Sequence, residues 1–388
     1  MANNDEVPKI LLYTRIRRSP FFYASRRHGV KLYSVYNRMY HPRHYGDPFE
    51  EFRKLITDVT LWDVGVERQV EITGPDAFAF TNLLTPRDLS KCAVGQCFYT
   101  PTIAQDGGII NDPVLYRLGE NHFSLSVADS DVLLWVKGVA VYAGMNVHIQ
   151  EPDVGLVQVQ GPKSRQVMRD LFGDRVMSLP YYYLFEAKLD DMDVVVSRTG
   201  YSNELGYEIC LRNSSRDGIR LWERVLEAGR PHDIAVIGPC HIRRIEAGIL
   251  AYGADMTLED NPYEVGMGWA VDLEKEGDFI GKEALKRIKE EGVKRKLVGV
   301  EISGDSVGAY NDGSMVDFWP VRRGDTQIGR VTSACYSPRL EKNIGYAMVP
   351  IEYAELGTEF TVDTAFGERA ARVVPKPFFD PKKEIAKA

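Results

Sequence analysis

Gln69-Val70-Glu71-Ile72-Thr73-Gly74-Pro75-Asp76-Ala77-Phe78-Ala79-Phe80 opens a pattern that the chain repeats. Polar and apolar residues alternate from Gln69 to Ile72, the period of a strand. Gly74-Pro75 ends it. Pro75 suits the first turn of a helix over 76–84, where its missing N–H would have no partner anyway. Val157-Gln158-Val159-Gln160 alternates likewise, Gly161-Pro162 breaks, and Ser164 to Phe172 has helical spacing. Strand, Gly-Pro corner and helix at both places predict a duplicated unit and an α+β fold class.

The surroundings extend the pattern. Residues 48–58 put Phe49, Phe52, Leu55 and Ile56 on one helical face. Gly107-Gly108 signals a turn, followed by an expected strand over 112–118 and its partner over 123–127. The second half echoes this with Val194-Val195-Val196, a turn at Ser202-Asn203, and a strand over 207–211. Helices are expected over 216–228, 239–250 and 282–291. After Gly292 the texture becomes short β-like runs between Gly and Asp turns, such as Leu297-Val298-Gly299-Val300 and Ile328-Gly329-Arg330-Val331. That predicts a small C-terminal β-barrel. The expected division is 1–292, two related α+β subdomains with discontinuous segments, and 293–388.

At 388 residues the chain has room for two or three domains of about 150 residues. With 55 acids against 48 bases, the formal charge of −7 speaks against nucleic acid as a partner. The early cations Arg15, Arg17, Arg18, Arg26, Arg27, Lys31, Arg38 and Arg43 are either a solvated surface or a wall near an anionic ligand group. No apolar run of about 18 residues exists, so no membrane span is expected. Residues 1–9 carry Asp5 and Glu6 and no apolar signal core, which makes the expected location cytoplasmic. The five cysteines, Cys92, Cys97, Cys210, Cys240 and Cys335, are odd in number and scattered, as in a reducing compartment. Neither they nor the seven histidines have metal-ligand spacing, so no metal is expected.

Three constellations could carry chemistry. In Gly107-Gly108-Ile109-Ile110-Asn111-Asp112, Asp112 enters a strand whose next residues, Val114 and Leu115, look buried; a carboxylate there needs partners or a ligand. The alternative is a plain glycine hairpin. Ser197-Arg198-Thr199-Gly200-Tyr201 through Gly206-Tyr207-Glu208 is either a hairpin with polar tips or a pocket for a flat polar heterocycle. In the pocket reading, tyrosines supply walls and Glu208 accepts two parallel N–H bonds. Tyr33-Ser34-Val35-Tyr36-Asn37-Arg38-Met39-Tyr40 is half-buried packing or the lining of a site for a methylated onium cation.

These residues resemble the glycine-cleavage T-protein superfamily of folate-dependent aminomethyl- and methyltransferases. The resemblance rests on an ordered set running from about residue 15 to 380. It includes Leu61-Trp62-Asp63-Val64, Leu84-Thr85-Pro86-Arg87-Asp88-Leu89, the Gly107 to Asp112 and Ser197 to Glu208 segments, Arg244-Ile245-Glu246-Ala247, Asn261-Pro262-Tyr263-Glu264-Val265-Gly266 and Pro375-Lys376-Pro377-Phe378. It implies a three-part cloverleaf around tetrahydrofolate as co-substrate. The family's catalytic acid falls on Asp112, which is also a folate contact, with Asn111 in place of a neighbouring acid. The other folate contacts fall on Tyr99, Val114, Tyr181, Tyr201 and Glu208.

The chain departs from T-proteins proper at Val35-Tyr36-Asn37-Arg38, Val127-Ala128-Asp129 and Gly238-Pro239-Cys240-His241. It is similar instead to the dimethylsulfoniopropionate demethylase branch, sharing the Tyr-x-Val-Tyr-Asn-x-Met run and Val66-Glu67-Arg68-Gln69-Val70-Glu71. The resemblance therefore implies a small-molecule sulfonium or quaternary ammonium donor, with no lipoyl-carrier partner, and methyl transfer to N5 of tetrahydrofolate in one-carbon metabolism. Tyr36 and Trp62 are candidates for holding the onium centre, and Arg38 for a donor carboxylate. The alternatives are aminomethyl or N-methyl transfer from glycine, sarcosine or betaine-type donors, or a non-catalytic folate-binding regulator.

Overall fold

The two Gly-Pro corners share one backbone geometry in a computed structural model of the chain, which describes residues 13–310 and 318–388. Gly74 has φ 122° and Gly161 φ 120°. A Cβ on Gly74 would meet the Asn146 carbonyl oxygen at 2.7 Å, and one on Gly161 the Asp58 oxygen at 2.6 Å, so both corners require glycine. The acidic start over residues 1–9 lies outside the described residues.

A two-stranded hairpin, β1 (Leu32–Tyr36) and β2 (Met39–His44), precedes the units. Next come the helix Pro48–Thr57 and the strands β3 (Thr60–Asp63), β4 (Gln69–Thr73) and β5 (Cys97–Tyr99). A short hairpin, β6 (Thr102–Ile103) with β7 (Ile109–Asn111), leads to β8 (Val114–Gly119), β9 (His122–Ser126) and β10 (His148–Gln150). The second unit has β11 (Val154–Gln160), β12 (Leu184–Leu189), β13 (Met192–Ser197), β14 (Gly206–Arg212) and β15 (Ala235–Val236). The first sheet has the order β10-β4-β9-β8-β5, the second β12-β13-β14-β11-β3-β15. Thus β5-β8-β9-β4 and β12-β13-β14-β11 are counterparts. In each unit a helix follows the Gly-Pro corner, Ala77–Leu83 in one and Ser164–Phe172 in the other.

Six strands, β16 (Arg295–Ile302), β17 (Trp319–Arg323), β18 (Thr326–Ser337), β19 (Lys342–Pro350), β20 (Glu359–Thr364) and β21 (Gly367–Val374), close into a barrel. Each sheet buries one face under its own helices. Val157, Val159 and Ile209 meet Val167, Leu221 and Trp222; Val70 and Ile72 meet Phe80, Val132 and Val136. The three parts then share one core, in which Tyr116 of the first sheet, Trp62 and Cys210 of the second and Tyr346 of the barrel belong to a single cluster.

Two expectations change. The strand expected over 112–118 is interrupted, with β7 ending at Asn111 and β8 starting at Val114, because Pro113 has no N–H for the ladder. The helix expected over 239–250 is only His241–Glu246. Gly248 adopts φ 73° with Pro377 seated where its Cβ would be, a contact from far along the chain. Among the described residues no helix is long and apolar enough to cross a membrane, no group of three or more acids, histidines and cysteines could hold a metal, and all five cysteines are free and buried.

Candidate active site

The break at Pro113 releases Asp112 from the ladder. Tyr99 pairs with Val114 across β5 and β8, so its ring lies beside the break, and its Oη donates to Asp112 Oδ2 at 2.7 Å. The other oxygen, Oδ1, is buried and has no hydrogen-bond partner among the described residues. Burial pushes the Asp112 carboxyl up to about 7, outweighing the Tyr99 hydrogen bond. Asn111 holds the preceding turn of chain, its Nδ2 donating to the Ala128 carbonyl at 3.1 Å and its Oδ1 accepting from Ala128 N at 3.0 Å.

Glu208 sits in a cross-strand row with Gln158, Trp62 and Ser197 on one face of the second sheet. Gln158 Nε2 donates to Oε1 at 2.8 Å, while Oε2 accepts from Tyr116 Oη at 2.9 Å and from the Thr199 hydroxyl. Tyr116 comes from β8, so this bond ties the two sheets together. Burial still drives the Glu208 carboxyl upward. Gln158 also accepts from Tyr201 N at 3.3 Å, and Tyr201 Oη donates to the Leu250 carbonyl at 3.0 Å. Tyr181 is half-buried, set edge-on to Tyr182 at 4.8 Å; burial lifts its phenol to about 12, and Glu208 adds a smaller push.

Tyr36 is half-buried beside the site, and its phenol is raised first by burial and then by the charges of Glu67 and Asp112. Asn37 fixes that placement, its Nδ2 donating to the Val66 and Val127 carbonyls at 3.0 and 3.2 Å. Trp62 is fully buried and donates Nε1 to Thr60 Oγ1 at 2.8 Å; it backs the site from within the sheet. Arg38 is not brought in. The hairpin turn gives Asn37 and Arg38 φ values of 50° and 59°, turning Asn37 inward; Arg38 is 68% exposed and pairs with Asp131 at 3.0 Å.

Sequence reasoning missed Glu67, Gln158 and Tyr116. Glu67 accepts from Ser126 Oγ at 3.1 Å, and burial, then the charge of Glu208 and more weakly that of Asp112, push its carboxyl up. It lay inside the quoted Val66 to Glu71 run, but nothing local marked it. Among the described residues none of Glu67, Asp112 and Glu208 has a cationic partner within ion-pair distance. Three acids among Tyr36, Tyr99, Tyr116, Tyr181 and Tyr201 can bind a cation and a hydrogen-bonding heterocycle, and the open Oδ1 of Asp112 fits such a group.

Residues 21–275 match the model described as the GCVT N-terminal domain, and residues 295–380 that of the glycine cleavage T-protein C-terminal barrel domain. The chain belongs to the glycine cleavage T-protein family. A dimethylsulfoniopropionate demethylase from Ruegeria pomeroyi is 36% identical over 359 residues, covering 92% of this chain and 96% of that one. An aminomethyltransferase from Bacillus pumilus is 35% identical over 370 residues, covering 94% and 99%. The glycine cleavage system aminomethyltransferase T of Bartonella henselae shares the fold, with a TM-score of 0.83 at 23% identity, covering 94% of this chain and 99% of that one. The T-protein-like architecture expected from the sequence is thus shown, and the chain is a member of an enzyme family.

Proposed function

We propose that this enzyme moves a methyl group from an onium donor, a sulfonium of the dimethylsulfoniopropionate kind, to N5 of tetrahydrofolate. One observation carries the reading: Asp112, with a buried oxygen left open, stands with Glu67 among tyrosines and has no ion-pair partner among the described residues. Such a site favours a cation beside a heterocycle. Tetrahydrofolate supplies the accepting nitrogen. Tyr99, Val114, Tyr181 and Tyr201 wall the heterocycle, and Glu208 holds its N–H edge. Tyr36 and Glu67 face the onium centre. A sulfonium releases a neutral thioether that keeps the C–S bonding pair, so the protein's main contribution is alignment, worth ~7–11 kcal/mol in favourable cases. The proton lost from the methylated nitrogen passes to Asp112, whose affinity near neutrality suits it to take and release a proton.

In this reading residues 1–292 form the folate-binding region, and a small molecule replaces a lipoyl-carrier arm as donor. Aminomethyl transfer is the competing reading, favoured by the 35% identity to an aminomethyltransferase. A donor screen with tetrahydrofolate, followed by mass spectrometry of the folate, separates the two. 5-Methyl-tetrahydrofolate from a sulfonium supports the proposal; 5,10-methylene-tetrahydrofolate from an aminomethyl donor overturns it. Absence of folate binding in calorimetry would sink both.

A further inference from the structure

Seven of the eight early cations are exposed at the surface. Arg17 pairs with Glu151, Arg27 with Glu223 and Arg38 with Asp131. Arg43 differs: it is half-buried, and among the described residues its guanidinium has neither an ion-pair partner nor a hydrogen-bond acceptor. It lies over the Tyr310 ring at 5.2 Å. The register of β1 with β2 slips there, Leu32 facing His44 and Tyr33 facing Pro42, so Arg43 is the extra residue of a bulge, a device that re-aims a side chain. Its backbone is held firmly. Tyr310 Oη donates to the Arg43 carbonyl at 2.9 Å, and Gly238 approaches so closely that a Cβ would meet that oxygen at 1.9 Å.

His41, on the same strand, is 6% exposed, and neither ring nitrogen has a hydrogen-bond partner among the described residues. Its ring lies 5.4 Å from that of Tyr36. Tyr36 thus touches His41 on one side; on the other, the adjacent Asn37 binds the carbonyls of Val66, next to Glu67, and Val127, next to the Ala128 that holds Asn111 beside Asp112. Acids and a cation therefore flank Tyr36 and His41, an arrangement suited to one small zwitterion.

We propose that Arg43, with His41 beside it, anchors the carboxylate of a zwitterionic methyl donor whose onium centre rests by Tyr36, Glu67 and Asp112. The inference rests on the methyl-transfer reading above and assigns the carboxylate to Arg43 in place of Arg38. A planar guanidinium offers a carboxylate two parallel N–H bonds, and Tyr310 stacking holds the fork in place. The carboxylates of a folate glutamate tail share this chemistry, so the test must separate the two sources.

The experiment compares the full chain with Arg43→Gln and Arg43→Lys. It measures KM for dimethylsulfoniopropionate and for its methyl ester, and Kd for tetrahydrofolate. Arg43→Gln should raise KM for the zwitterion at least ~10-fold, the loss of a charge-assisted pair. KM for the ester and Kd for folate should stay unchanged, and Arg43→Lys should fall between. Equal loss for both donors, an unchanged KM, or weakened folate binding with donor KM intact each overturn the assignment; the last gives Arg43 to the folate tail. A wild type that turns over no onium donor overturns the methyl-transfer reading itself, whereas an active wild type indifferent to Arg43→Gln overturns the anchor alone.

Discussion

Asp112 keeps a carboxyl where burial disfavours its charge, and this has opposite consequences for stability and for catalysis. Its folded value of about 7 lies above the ordinary 3.8, so its ionisation costs stability as pH rises between those values and no more above. Asp112→Asn removes that cost. The variant's Tm should exceed the wild type's by a margin that widens from pH 4 to 7 and is flat beyond; a margin independent of pH would mean the carboxyl is not held in this way. Turnover of the same variant should fall at least ~10-fold, or ~1.4 kcal/mol of transition-state stabilisation. An onium donor should bind more tightly as pH rises through about 7, because a cation prefers the ionised acid; titration calorimetry at three pH values reads this directly. Glu208→Gln keeps the shape while losing the charge that Gln158, Tyr116 and Thr199 already surround. Folate binding should weaken by ~1.5–3 kcal/mol, and an unchanged Kd would leave Glu208 a structural link between sheets.

The β1-β2 hairpin delivers Tyr36, His41 and Arg43 together, and Asn37 is its fastening. Its side chain makes two donor bonds and accepts Ser130 N at 3.3 Å, and its own N donates to Asp129 Oδ1 at 2.8 Å. Asn37→Ala strands those buried carbonyls and strains a left-handed turn. It should cost about 2–4 kcal/mol in urea denaturation. KM for the donor should rise more than kcat falls, since the hairpin bears binding groups while Asp112 lies elsewhere. Equal effects on both would mean that the hairpin matters only for folding.

At the scale of the molecule, Arg244 joins the helix His241–Glu246 to the barrel. It pairs with Asp255, and Asp255 Oδ1 accepts from Thr332 Oγ1 at 2.7 Å and Ser333 Oγ at 2.6 Å of β18. Both partners are almost wholly buried, and a pair of this kind costs about 3–5 kcal/mol when one side is removed. Asp255→Ala should therefore lower stability by that order and split calorimetric unfolding into two transitions, the barrel separating from the paired sheets. A single transition at the wild-type temperature would show that the shared apolar core alone couples them.

The sequence by itself determined the units whose cause is local. Period-two alternation, a glycine that must take positive φ, and a proline in the next turn mark both corners. Helices such as Ser164–Phe172 and Lys282–Glu291 follow from spacing and a terminal glycine. The motifs also named Tyr99, Asp112 and Tyr201, which the fold gathers into one place. Only the tertiary structure decided what lies beside what. Gln158 and Gln160 alternate with valines as solvent-facing residues do, yet they are 1% and 0% exposed, because a second core covers that face. β3 precedes the first unit but is hydrogen-bonded into the second sheet, which brings Trp62 next to Gln158. Glu67 and Arg43 gain meaning in the same way, one from the acids across the site and the other from its half-buried place over Tyr310 with no ion-pair partner among the described residues. A sequence records the period of each segment's own backbone, whereas burial, charge and pKa are set by neighbours that long-range strand pairing chooses.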